Sequence, residues 1–195
     1  WKLAKEGYDV TLYEKNDDII SQASNINQYR LHRGYHYPRS KDTALQSQWG
    51  ESSFIKEYGD SIVNGNIEHY YCIAKEDSKV NAEQYKTFLD EMNLSYEEKK
   101  LDFIDENVVD LMVEVKELLF NPNKLKNICW DKLNEHNVNV VLKTEYVDLD
   151  YDYVINSTYA NLNQLLPKDK QKDYQFELCE KPVIKLPKQY KNKSV

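Results

Sequence analysis

WKLAKEGYDVTLYEKNDDIISQASNINQYRLHRGYHY, residues 1–37, decides how the rest of the chain is read. Trp1, Leu3 and Ala4 share the spacing of one helical face, and Gly7 comes where a helix stops. Residues 8–13 (YDVTLY) read as a buried strand with Val10 and Leu12 on one side, and Glu14 stands at its carboxyl end. Helix, glycine stop, apolar strand and terminal acid make up the second half of a dinucleotide-binding βαβ unit, in which the acid accepts hydrogen bonds from an adenosine ribose. The first half, a strand and a G-x-G-x-x-G turn, would precede residue 1, which is Trp rather than Met. The expectation is an internal fragment that starts inside the first helix. An ordinary αβ unit with a chance acid has the same local pattern, so the residues that follow must decide.

Residues 22–37 (QASNINQYRLHRGYHY) put short polar side chains where a chain passing a pyrophosphate needs them: Ser24, Asn25 and Asn27. The same residue types also cap helices and turns, which is their commonest use. With Gln22, Ser24, Asn27, His32, Gly34 and Tyr37 at matching places, the segment resembles FAD-dependent oxidoreductases of the D-amino-acid oxidase-like superfamily, with the L-2-hydroxyglutarate dehydrogenase/oxidase branch nearest. Asn25 and Tyr29 stand where that family usually has glycines. A later block extends the resemblance: a helix opened by Asn121-Pro122, a strand at 138–142, then DYVINST at 152–158. The usual ending there is Ala-Thr-Gly, and Tyr159 replaces the glycine.

The resemblance implies an α/β (α+β mixed) fold. This would be a Rossmann-like FAD-binding domain, missing its first strand and Gly-rich turn, with an inserted mixed-sheet substrate domain. Residues 1–66 and 121–166 would form the first and residues 67–120 and 167–195 the second. It implies FAD as cofactor and oxidation of a small hydroxy acid or amino acid by hydride transfer to flavin. Glu14, with Lys15 beside it, would hold the ribose; Ser24, Asn25 and Asn27 would line the phosphate and ribityl path. Gly34 would pass the flavin ring, Val147 would meet the adenine through its main chain, and Ser157 and Thr158 would turn backbone N–H groups to the cofactor. His32 or His36 would accept the substrate's hydroxyl proton, since imidazole titrates near neutrality. Arg30, Arg33 and Arg39 are candidates to pair with a substrate carboxylate as bidentate donors. The everyday alternatives are a hydrogen-bonded structural histidine, a strand valine and capping polar residues. Two rival function classes stand beside this one. A flavoprotein-like domain with degraded cofactor contacts and a binding role is motivated by Asn25, Tyr29 and Tyr159. An NAD(P)- or nucleotide-binding enzyme with the same opening would continue in alternating βα units.

Composition narrows the partners. A formal net charge of −7 gives no bulk attraction for nucleic acid, and a mean hydropathy of −0.80 with 30% charged residues describes a hydrophilic chain. No apolar run reaches membrane-spanning length. Cys72, Cys129 and Cys179 are scattered, which argues against a disulfide framework and for a reducing, cytoplasmic setting. The four histidines show no H-x-H or H-E-x-x-H spacing, so no metal site is expected, and no G-x-S-x-G elbow supports hydrolysis. The expected partner is a small-molecule substrate, with the electron acceptor undetermined.

For the remaining chain, helices are expected at 42–58, capped by Asp42 and burying Leu45, Trp49, Phe54 and Ile55, at 81–92, capped by Asn81, and from Pro122 to about residue 136. Strands are expected at 67–74, in the first part of 108–120, and at 138–142, 146–149, 151–156 and 174–186. A charged connection is expected at 95–105 and a helical turn at 162–166.

Overall fold

The computed structural model describes residues 1–147, 150–176, 185 and 187–195. In chain order its regular elements are α1 (Lys2–Lys5), β1 (Thr11–Glu14), β2 (Arg30–Leu31), α2 (Lys41–Tyr58), β3 (Glu68–Ala74), α3 (Ala82–Glu91), β4 (Tyr96–Glu98), β5 (Val109–Val115), β6 (Leu118–Leu119), α4 (Pro122–Glu135), β7 (Asn139–Leu142) and β8 (Lys193–Ser194). Short 3₁₀ turns lie at Gly59–Ser61, Tyr159–Leu165, Lys168–Lys170 and Lys188–Tyr190. The fold is a mixture of helices and several sheets, as the α+β expectation has it.

Two helix–strand units lie side by side. β1 pairs in parallel with β7, Leu12 opposite Val140 and Glu14 opposite Leu142. With a period of two, Val10 and Leu12 share a face with Val138, Val140 and Leu142. That face packs on Trp1 and Ala4 near α1, on Cys129, Trp130 and Leu133 of α4, and on Ile19. Gly7, at φ +94°, ends α1 and turns the chain into β1. On the opposite face Tyr13 meets Tyr146 edge-on and shares a hydroxyl hydrogen bond with Tyr151. Asp18 ties the loop after β1 to α4 by accepting from Lys126 Nζ (2.8 Å) and Trp130 Nε1 (2.9 Å). Those two donors hold its carboxyl below the ordinary range.

A second core fills the space between the β4-β5-β3-β8 sheet and α3. Local sequence explains α3 well. Asn81 accepts from the Gln84 amide while Gln84 reaches back to the Asn81 amide, a reciprocal cap. Tyr85, Phe88 and Leu89, at helical spacing, are all buried against Val113 and Val115 of β5. The Tyr85 hydroxyl donates to Tyr35 O, and the Tyr35 hydroxyl to Ser95 O, so both buried phenols are satisfied.

Six expectations need correction. The α2 cap is Ser40, whose Oγ accepts from the Thr43 amide, and not Asp42. The face expected to be buried on that helix is largely open, with Trp49 68% exposed, because Ala44 is its buried residue. Within the charged connection, Tyr96–Glu98 adds a strand to β5. Residues 151–156 are not a strand: no described strand bonds to their backbone, and Tyr153 is 82% exposed. The expected strand at 146–149 is absent at 146–147, and its other two residues lie outside the described ones. Of 174–186, residues 174–176 are not strand and most of the rest lies outside the described residues.

His69 on β3 is sealed in, and its Nδ1 has no hydrogen-bond partner among the described residues. Burial, helped by Arg30, holds its pKa below the ordinary imidazole value. The unfolded chain therefore binds a proton that the folded chain resists. The stability this group contributes is present above the ordinary imidazole range and is lost as pH falls through it. Thermal unfolding followed from about pH 7 down to about pH 5 should show a falling Tm, and His69→Phe should flatten that slope. An equal slope in the variant would remove His69 as the cause.

Candidate functional site

Glu14 ends β1 at the carboxyl tip of the parallel pair, where loops gather and ligands sit in open α/β sheets. Its Oε1 accepts from the backbone and side-chain amides of Asn16. Among the described residues Oε2 has no hydrogen-bond partner, which leaves it for an outside donor such as a hydroxyl. Asn16 Oδ1 in turn accepts from Gln22 Nε2 at 3.4 Å, and Gln22 O accepts from the Asn25 amide. A hydrogen-bonded chain thus runs from the acid into the polar loop. Lys15 beside it is exposed.

Within that loop the polar side chains are largely occupied in shaping it. Asn27 Nδ2 donates to Ala23 O and Ser24 O, and its Oδ1 accepts from the Tyr29 amide. The Tyr29 hydroxyl donates to Asn25 O, and its ring meets Phe120. Ser24 is exposed. Tyr29 has φ +55° and Tyr159 φ +53°, so two of the three residues at the resembled family's glycine positions, Asn25 being the third, keep a left-handed backbone. A Cβ there costs about 1–2 kcal/mol.

The second half of the motif packs into the second core through Tyr35 and Tyr37. β2 pairs antiparallel with β6, Arg30 opposite Leu119, and this brings the β5–β6 turn against residues 30–33. Glu117 in that turn is fully buried as a side chain. Its Oε1 accepts from the Arg33 amide (3.0 Å) and lies 3.6 Å from His32 Nδ1; its Oε2 accepts from the Tyr71 hydroxyl (2.9 Å) and lies 3.6 Å from Arg30. Burial alone would raise the Glu117 carboxyl. His32, the Arg33 amide and Tyr71 outweigh it and hold the group below the ordinary carboxylate range. Tyr71 is pushed far up by burial and by the neighbouring Glu117.

Arg30, one of the candidates for a substrate carboxylate, is buried. It donates to Ser194 O, Ser194 Oγ and Tyr70 O, and its guanidinium lies over the Tyr71 ring. Arg33 is exposed and pairs with Glu51 at 3.3 Å, and Arg39 is exposed. His32 and His36 stack at 5.3 Å, with Tyr37 edge-on to both. Gly34 (φ +109°) lets the chain lie against α2, where an added Cβ would come within 3.2 Å of Ala44 O. Thr158 donates through N and Oγ1 to Asn156 Oδ1, a turn closed locally; Ser157 and Val147 are exposed. The structure therefore gathers His32, His36, Arg30 and Gly34 in one cluster and Glu14 with residues 22–29 in another.

Glu117 and Tyr71 escape a reading of the sequence. Glu117 sits in an apolar run, VEVKELLF, where one acid looks like a solvated strand residue. The one usable signal is the Lys116-Glu117 pair interrupting that run, which marks a turn between two strands. An open cleft of about 380 Å³ lies beside Arg33, lined by Tyr35, Leu45, Gln48, Glu51 and Ser95 among others. Another, of about 500 Å³, around Lys75, Lys99 and Asp110, includes none of the residues named from the sequence. No described helix is long and apolar enough to cross a membrane.

An acid at the tip of a parallel strand pair and a histidine–carboxylate cluster are kinds of part that nucleotide-dependent redox sites use. The chain is similar to FAD-dependent monooxygenase FPY4 of Fusarium mangiferae, 33% identical over 113 residues that cover 57% of this chain and 30% of that protein. It is also similar to FAD-dependent monooxygenase kojA of Aspergillus flavus and probable FAD-dependent monooxygenase kojA of Aspergillus oryzae, each 36% identical over 63 residues, 32% of this chain and 15% of theirs. The chain thus matches less than a third of the length of these curated relatives. No protein-family profile matches the chain, and no solved structure matches it.

Proposed function

We propose that the chain is part of an FAD-dependent oxidoreductase. The similarity to proteins named FAD-dependent monooxygenases supports FAD as the cofactor. The observation that carries the reading is Glu14, at the tip of β1 with one carboxylate oxygen left over and a hydrogen-bonded chain leading into residues 22–29. That arrangement fits the adenosine end of the cofactor: Glu14 would accept from ribose hydroxyls, with Lys15 beside it and Ser24, Asn25 and Asn27 along the phosphate side. When bound, FAD supplies two-electron redox chemistry.

The finer reading follows the resemblance to the D-amino-acid oxidase-like superfamily. The parallel pair with α1 and α4 would belong to a Rossmann-like cofactor domain, formed by residues 1–66 and 121–166. The four-stranded sheet with α3 would belong to the substrate domain, formed by residues 67–120 and 167–195. One apolar core lies wholly within the first set of residues, and the other is drawn mainly from the second, with Tyr35 and Ala44 of the first packed into it. The substrate would be a small hydroxy acid or amino acid, with His32 or His36 taking its proton and the exposed Arg39 as a carboxylate partner. Val147, Ser157 and Thr158, on the stretch beyond β7, would complete the cofactor side. The relatives' names favour a second reading, in which one atom of dioxygen ends in the product. Mass analysis of product formed under ¹⁸O₂ separates the two.

In the full-length protein, Glu14→Ala should weaken FAD binding about 10- to 100-fold, as loss of a charged hydrogen-bond acceptor does. Fluorescence titration with FAD measures it. An unchanged Kd would remove Glu14 from the site, and a full-length protein that takes up no FAD would favour a non-catalytic role.

A further inference from the structure

We propose that Glu117 is the positioning residue of His32: its carboxylate, together with the Tyr71 hydroxyl oxygen, fixes the proton of the imidazole on Nδ1 and leaves Nε2 as the base for a substrate hydroxyl. The proposal rests on the flavin-oxidoreductase reading above and deepens it.

Two atoms face His32 Nδ1: Glu117 Oε1 at 3.6 Å and the Tyr71 hydroxyl at 3.5 Å. The hydrogen of Tyr71 is already given to Glu117 Oε2 at 2.9 Å, so its oxygen meets the ring as an acceptor. An ionised carboxylate is an acceptor only. Two acceptor oxygens facing one ring nitrogen favour N–H at that nitrogen, and the lone pair is then on the other. The same logic orients imidazoles through carboxylates in hydrolytic triads and metal sites.

Glu117 is also fixed in place. Its side chain has no exposed surface, Arg30 and the Arg33 amide bracket it, and Arg30 is itself tied to Tyr70 O and Ser194. Among the described residues, Tyr35, Glu51 of α2, His69 and Cys72 of β3, and Tyr85 of α3 are further titratable groups that interact with the cluster's charges. His32 is held by its stack on His36, yet 27% of its side chain stays open, so a substrate can reach the ring. In the step, the substrate O–H bond breaks, its electron pair stays on oxygen and its proton forms an N–H bond at Nε2. The imidazolium that results faces Glu117. The substrate's C–H bond would break with both its electrons, the hydride passing to the flavin of the proposed function, while the oxygen's electron pair closes the C=O bond.

The test uses the full-length flavoprotein labelled with ¹⁵N. Histidine side-chain ¹⁵N spectra should show His32 as the Nδ1–H tautomer, and in Glu117→Gln the population should move toward Nε2–H. Tyr71→Phe, which leaves no charge unpaired, should move it in the same direction by less. Stopped-flow bleaching of the bound flavin by a panel of small 2-hydroxy and 2-amino acids should slow about 100-fold or more in Glu117→Gln. Wild-type His32 carrying its proton on Nε2 overturns the proposal, and so does an unchanged tautomer or bleaching rate in Glu117→Gln. No FAD uptake, or no bleaching by any member of the panel in the wild type, overturns the reading beneath it instead.

Discussion

Arg30→Met should destabilise the protein by about 3–5 kcal/mol, because it leaves the buried Glu117 carboxylate without its cation. The guanidinium does several things that methionine cannot. It lies 3.6 Å from Glu117, donates to Ser194 O at 2.9 Å and covers the Tyr71 ring at 4.8 Å. Removing one member of a buried ion pair costs more than the pair contributes, since the partner's desolvation is no longer offset. Denaturant unfolding of wild type and variant measures the difference. Folding close to that of wild type, with a substrate KM raised severalfold, would return Arg30 to the substrate-binding role its sequence position suggests. The second large effect is expected at Gly34. At φ +109° any side chain is strained, and a Cβ would press on Ala44 O at 3.2 Å, a backbone atom that cannot turn aside. Strain and the displaced helix together should make Gly34→Val cost about 3 kcal/mol, read as a drop in Tm. A loss within the scatter of surface substitutions would show that α2 moves away at no cost.

These two positions also mark how far the amino-acid order carries. Asn81 and its helix were legible because the cap and the apolar spacing are local, and the structure repeats both. The strand expected at residues 8–13 was legible for the same reason, although it runs from Thr11 to Glu14. The buried side of α2 was not. Its apolar residues are spread around the helix, and the side that packs is chosen by the close approach of Gly34 to Ala44, a contact between distant turns. The aromatic and β-branched residues at 151–156 promise a strand, but a strand exists only with a neighbour to bond, and none is present among the described residues. In the site, the polar loop of residues 22–29 could be read directly. The environment of His32 could not, because Tyr71 reaches it from β3 and Glu117 from the β5–β6 turn, and nothing near residue 32 names them.

The clasp between Arg30 and Ser194 joins groups 164 positions apart. A ribosome delivers the guanidinium early and its last acceptor almost at the end of this stretch, so the early product holds a cation waiting for partners. Contacts of such long span form slowly, since the chain must first close a large loop. The histidine cluster is therefore expected to be the late-maturing part of the molecule, assembled after α3 and its sheet have formed, and pulse-labelled hydrogen exchange during refolding would record that order.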